Sequence, residues 1–155
     1  MTIIYDWSTN ILDIANDFYE AYKRCRESKC KNTDRAQGKV VNVPAIANGA
    51  FALELYLKSL IPEGKRKSSG HDISVLFSAI DVEFQTAIKE KIEPKLKGYE
   101  QTFDEAISGI SKAFEYWRYI YEKPDFGYGL NMSLRILPIF LEAVRETIQS
   151  NQKAS

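Results

Sequence analysis

Residues 45–61 are apolar nearly all the way round a helix. Ile46, Ala50, Leu53, Leu57 and Leu60 cover one side, while Phe51, Leu55 and Tyr56 cover much of the rest. A helix with a single apolar stripe can lie on a surface, but one that is apolar on most sides has to be enclosed, at the centre of a bundle or against a second subunit as well. Pro44 suits its first turn and Pro62 ends it.

The remaining segments are built to enclose such a helix. Over residues 9–27, Ile11, Ile14, Ala15, Phe18, Tyr22 and Cys25 recur at steps of three and four, and Ser8 or Thr9 is placed to cap the helix. Residues 29–43 turn polar and read as a loop, and residues 62–70 as a basic, turn-rich linker. Asp72 then opens a helix carrying Ile73, Leu76, Phe77 and Ile80, and the pattern continues to Pro94 either in the same helix or in a second short one restarted at Asp81. Residues 100–122 form a long amphipathic helix with Phe103, Ile107, Ile110, Phe114, Trp117 and Tyr121 on one face. After a loop at 123–129, Asn131 or Ser133 caps a last helix bearing Leu134, Leu137, Leu141, Val144 and Ile148, which Pro138 is expected to kink. No segment alternates with period two. The expectation is an all-α bundle of four or five helices, and a length of 155 residues fits one domain, residues 1–155.

Counting limits the chemistry. The chain holds one histidine, His71, and two cysteines, Cys25 and Cys30. These do not make a compact set of zinc ligands, so neither a metal nor any other cofactor is expected. Cys25 lies on the first helix's apolar stripe, Cys30 beyond it in a basic segment, and both are read as reduced. HExxH and the P-loop are missing, and Gly127-Tyr128-Gly129 lacks the third glycine of a dinucleotide fingerprint. Charges interrupt every apolar stretch and the first ten residues carry no basic run, which points to a cytoplasmic protein without a membrane span.

The formal net charge of zero is unevenly spread. Seven basic residues (Lys23, Arg24, Arg26, Lys29, Lys31, Arg35 and Lys39) stand against Glu27 and Asp34, a local excess of +5; Lys65, Arg66 and Lys67 raise it to +8, balanced by −8 elsewhere. If the two loops meet they attract phosphate, with Arg35, Lys65 and Lys67 as contacts; otherwise they are a solvated surface. A second group lies beside the apolar stripes. Glu54 falls on the apolar helix, where it should be at least half buried, with Lys58 at i+4 as partner. Arg118 flanks the long helix within reach of Glu54 or Glu122. With His71 and Tyr119 these residues form either an interhelical salt-bridge network or a polar site at a bundle or dimer seam. His71, at a loop-to-helix junction, either anchors that junction through a nearby carboxylate or serves as an acid–base group near neutral pH.

The stretch PAIANGAFALELYLKSL over residues 44–60, then Gly70-His71-Asp72-Ile73 with Leu76-Phe77, then Phe114 with Arg118-Tyr119-Ile120-Tyr121-Glu122, resembles the HEPN superfamily of small helical domains. The likeness covers about residues 40–125 and implies a helical bundle that commonly forms homodimers. Such domains include metal-independent ribonucleases of toxin and antiphage systems, partners of nucleotidyltransferases, and non-catalytic forms that bind nucleotide, RNA or protein. Catalytic members carry Arg-x4-6-His. Here no histidine follows Arg118, whereas Arg66 and His71 have that spacing but lie in the earlier linker. Two main readings follow. One is a homodimeric binding module for RNA, nucleotide or a protein partner. The other is a ribonuclease with His71 as acid or base, Arg66 or Arg118 stabilising the phosphorane, and Tyr119 and Glu54 orienting them. A structural accessory subunit is the third, marked by apolar surface left over on the central helix.

Overall fold

The computed structural model describes residues 10–27, 42–116, 122 and 126–154, excluding the side chains of 42, 67, 68 and 126–134. Among these residues the chain is helical throughout, with no strand: α1 (Ile11–Glu27), α2 (Asn42–Ser59), α3 (Ile73–Ala79), α4 (Val82–Leu96), α5 (Phe103–Tyr116) and α6 (Phe126–Ala154). Six α-helices stand where four or five were expected, because the break at Ile80–Asp81 is real and separates α3 from α4. Short 3₁₀ segments, Glu63–Ser68 and Lys97–Tyr99, follow α2 and α4.

The apolar helix is the centre of the bundle. Helix α2 packs on α1, α6, α3 and α5, and buries Ala45, Ile46, Ala50, Ala52, Leu53, Tyr56 and Leu57. It begins at Asn42, so the polar stretch before it is shorter than the sequence suggests. Gly49 permits its closest approaches: a Cβ there would stand 2.6 Å from Leu137 Cδ2 of α6 and 2.8 Å from Tyr22 Cδ2 of α1. The Tyr56 hydroxyl joins three helices, donating to Asn16 Oδ1 of α1 and accepting from Arg145 Nε of α6 at 3.3 Å. The Arg145 guanidinium lies 3.8 Å from the Tyr19 ring centroid, a cation–π contact that also joins α6 to α1.

Helix ends follow local capping chemistry, not always at the expected residue. Asn10 caps α1 by accepting from the Asp13 amide at 3.0 Å, while Ser8 and Thr9 lie outside the described residues. The inner face of α1 is also rotated from the expected stripe: Ile14 is exposed, and Leu12 and Tyr19 pack inward with Ala15, Phe18, Tyr22 and Cys25. Asp72 caps α3, accepting from the Val75 amide at 3.1 Å. Thr102 and Glu105 form a reciprocal capping box, which starts α5 at Phe103 rather than at residue 100.

Two prolines stand inside helices. Pro94 does not end α4, which continues to Leu96; Pro94 and Glu90, whose carbonyl the proline cannot pair, are both exposed residues. Helix α6 starts at Phe126, inside the expected 123–129 loop, so Asn131 and Ser133 lie within it rather than at its start. It is continuous through Pro138 and buries Leu137, Leu141, Val144 and Ile148 of the expected stripe, along with Ile136 and Phe140, while the Leu134 side chain lies outside the described ones. Cys25 is a partly buried free thiol 4.0 Å from Asn48 Nδ2; Cys30 lies outside the described residues. No described helix is long and apolar enough to cross a membrane.

Candidate functional site

The position of Glu54 on α2 follows from a helix that is buried on nearly every side. The residue is 3% exposed. Its Oε1 accepts from Lys58 Nζ at 2.8 Å, the expected i+4 partner, and from His71 Nδ1 at 2.6 Å. An ionised carboxylate only accepts hydrogen bonds, so opposite an ionised Glu54 it is Nδ1 that donates, and Nε2 is left outside this contact. The other oxygen, Oε2, is buried and has no hydrogen-bond partner among the described residues. Buried acceptors are rarely left in this state.

His71 sits where the 3₁₀ segment gives way to α3. Gly70 before it has φ of +71°, a left-handed conformation that glycine adopts without the steric cost a side chain would bring. The chain thereby turns, and Asp72 caps the next helix while the imidazole reaches back to Glu54. The ring stays 80% exposed. It is not packed into the core, and no cluster of histidine, cysteine and carboxylates able to hold a metal occurs among the described residues.

Glu54 and His71 lie on the wall of an open cavity of about 630 Å³ between α2, the start of α3 and the C-terminal half of α5. Phe51, Asp72, Ser111, Phe114 and Glu115 complete the lining. The Phe51 and Phe114 rings meet edge to face, 5.0 Å between centroids. Ser111 Oγ accepts from the Ser74 amide at 3.0 Å and lies 3.1 Å from Ser74 Oγ, joining α5 to α3 beside the cavity. Of the seven described lining residues three are carboxylates and none is lysine or arginine, so this part of the wall favours cations and hydrogen-bond donors over phosphate.

The other residues singled out from the sequence divide sharply. Arg66 does not line the cavity: its Nε donates to the Ile61 carbonyl at 2.9 Å and its Nη2 to the Ser59 carbonyl at 3.3 Å. It thus closes the C-terminus of α2, where cations and donors satisfy the last carbonyls. Lys65 is exposed on the same 3₁₀ segment, and Glu122 is exposed in a turn. Arg118, Tyr119 and Arg35 lie outside the described residues, as does the Lys67 side chain. Ser111 and Glu115 were not singled out. They stand at i and i+4 on α5 either side of Phe114, so the flank of the α5 stripe, rather than its centre, carried the signal. Compared with known proteins, the chain matches no family model, no curated protein and no solved structure.

Proposed function

We propose that this chain is a HEPN-like helical binding module, that its recognition site is the cavity between α2, α3 and α5, and that its ligand belongs to a protein partner. The observation that carries this reading is Glu54: a carboxylate set into an apolar helix, with one oxygen held by Lys58 and His71 and the other without a partner among the described residues, on the wall of an open cavity. As architecture alone this is costly, because hydrophobic residues of similar volume serve stability as well or better. As a binding site it is economical, since the unpaired acceptor waits for a donor. Of the three ligand classes that the resemblance implies, RNA and nucleotides bring phosphates toward Glu54, Asp72 and Glu115, whereas a protein partner can bring donors without them.

One observation favours a second reading, a metal-independent ribonuclease. Opposite an ionised Glu54, a neutral His71 ring donates from Nδ1 and has Nε2 to take up a proton, an arrangement suited to a general base. Against it, the Arg66 guanidinium is spent on the Ile61 and Ser59 carbonyls rather than directed to a phosphate beside His71. Incubation of the purified protein with mixed single-stranded and structured RNA in EDTA separates the two readings, with light scattering to verify folding and count subunits. The binding module leaves the RNA intact. Cleavage by the wild type that disappears in His71→Ala overturns it in favour of the nuclease.

A further inference from the structure

We infer that the cavity receives a cation carried on an apolar stem, a guanidinium or primary ammonium group, which takes the place of His71 on Glu54. This rests on the reading of the cavity as a recognition site and names the chemistry of what enters it. Three features converge. Glu54, Asp72 and Glu115 give the wall an acidic character, only partly offset by Lys58, which is committed to Glu54 Oε1. Phe51 and Phe114 are partly buried and supply both an apolar surface for a methylene stem and ring faces for a cation, a combination worth more where water is excluded. Independently of the acidic residues as a group, the buried Glu54 Oε2 lacks a donor among the described residues.

The exchange with His71 follows from burial. The imidazole is 80% exposed and reaches the site from a left-handed turn at Gly70, so it can leave Glu54 at the cost of one hydrogen bond. An incoming guanidinium presents donors in a fork that matches both carboxylate oxygens, satisfying Oε1 in place of His71 and Oε2 for the first time. An ammonium group gives three donors with less directional fit. Lys58 stays in place and neutralises Glu54 while the site is empty.

The test is a titration of the ¹⁵N-labelled full chain at low salt with agmatine, an acetylated and amidated Gly-Arg-Gly peptide, and guanosine monophosphate, followed by amide shifts around Glu54, Ser111 and Glu115. Both cations are expected to shift these amides and the nucleotide to leave them unmoved. Glu54→Gln should weaken cation binding about tenfold or more, the scale of a hydrogen bond to a charged group. Because that change touches the buried ion pair, Glu115→Gln serves as a second variant: Glu115 is exposed, and its loss should weaken binding about two- to fivefold, an effect that salt reproduces in the wild type. His71→Ala should tighten binding about two- to tenfold, since the ligand no longer displaces a hydrogen bond. Binding of the peptide, with or without agmatine, supports a side chain of a partner. Binding of agmatine alone keeps the cation and overturns the protein partner. Shifts with the nucleotide alone overturn the cation while the recognition site stands, and no shift with any of the three overturns both. Weaker binding in His71→Ala overturns the exchange.

Discussion

A carboxylate on an enclosed helix loses hydration worth several kcal/mol, and at Glu54 the two compensating groups are unequal. The Lys58 side chain is itself largely buried, whereas the His71 ring is mostly in solvent. Lys58→Met should therefore strand a buried charge and cost about 3 kcal/mol, the lower end for breaking a buried pair. His71→Ala removes an exposed partner and should cost less than about 1 kcal/mol. Urea unfolding at unchanged m-value checks both, and equal losses would mean that the exposed histidine compensates Glu54 as much as the buried lysine does. The Glu54–Lys58 contact was legible in the sequence because i+4 spacing on one helix fixes it. His71 was legible in part, since its place before a capping aspartate put it at a helix start but could not say which carboxylate it would reach. Arg66 was not legible as a structural residue. Its acceptors are the carbonyls of Ser59 and Ile61, and side-chain spacing carries no record of where a helix leaves its last carbonyls open.

The same limit governs the helices. Periodicity located α1 through α6 because each buries a face, but it blurred the ends, where a single hydrogen bond decides. Asn10 rather than Ser8 or Thr9 caps α1, and the capping box of Thr102 and Glu105 moves the start of α5 to Phe103. Asn131 and Ser133 misled because they are cap-forming residues placed ahead of an apolar run, while α6 had already begun at Phe126. The cavity was the least legible feature, being a joint property of α2, α3 and α5 that no one helix encodes. Two glycines show how environment outweighs propensity at this scale. Gly49→Ala drives a Cβ against Leu137 and Tyr22 where α6 and α1 meet α2, and should destabilise by about 1–2 kcal/mol despite the better helix propensity of alanine. Gly109→Ala adds a methyl in open space on the exposed face of α5 and should stabilise by about 0.5–1 kcal/mol. Thermal or urea unfolding of the two variants checks the opposite signs.

In the whole molecule, α2 is apolar on nearly every side because α1, α3, α5 and α6 surround it, so the feature that demanded enclosure is met within one chain. That closure commits two tyrosines to the interior. Burial pushes the hydroxyls of Tyr22 and Tyr56 above the ordinary value of 10.0, and at Tyr56 the nearby Arg145 pulls only partly the other way. A phenol whose folded pKa exceeds its unfolded one stabilises the fold fully below the unfolded value, and the stabilisation is lost as pH rises through the folded value. Stability should accordingly hold to about pH 10 and then fall, because the unfolded chain gives up these two protons first. Tyrosinate absorbance read alongside urea midpoints follows the process: part of the absorbance should rise only as the bundle opens. Tyr22→Phe removes one late-titrating phenol without disturbing the link of Tyr56 to Asn16 and Arg145, and should make the alkaline fall shallower. If every tyrosine instead titrates near pH 10 while the helices stay folded, Tyr22 and Tyr56 are open to solvent and α1 and α6 do not close over α2.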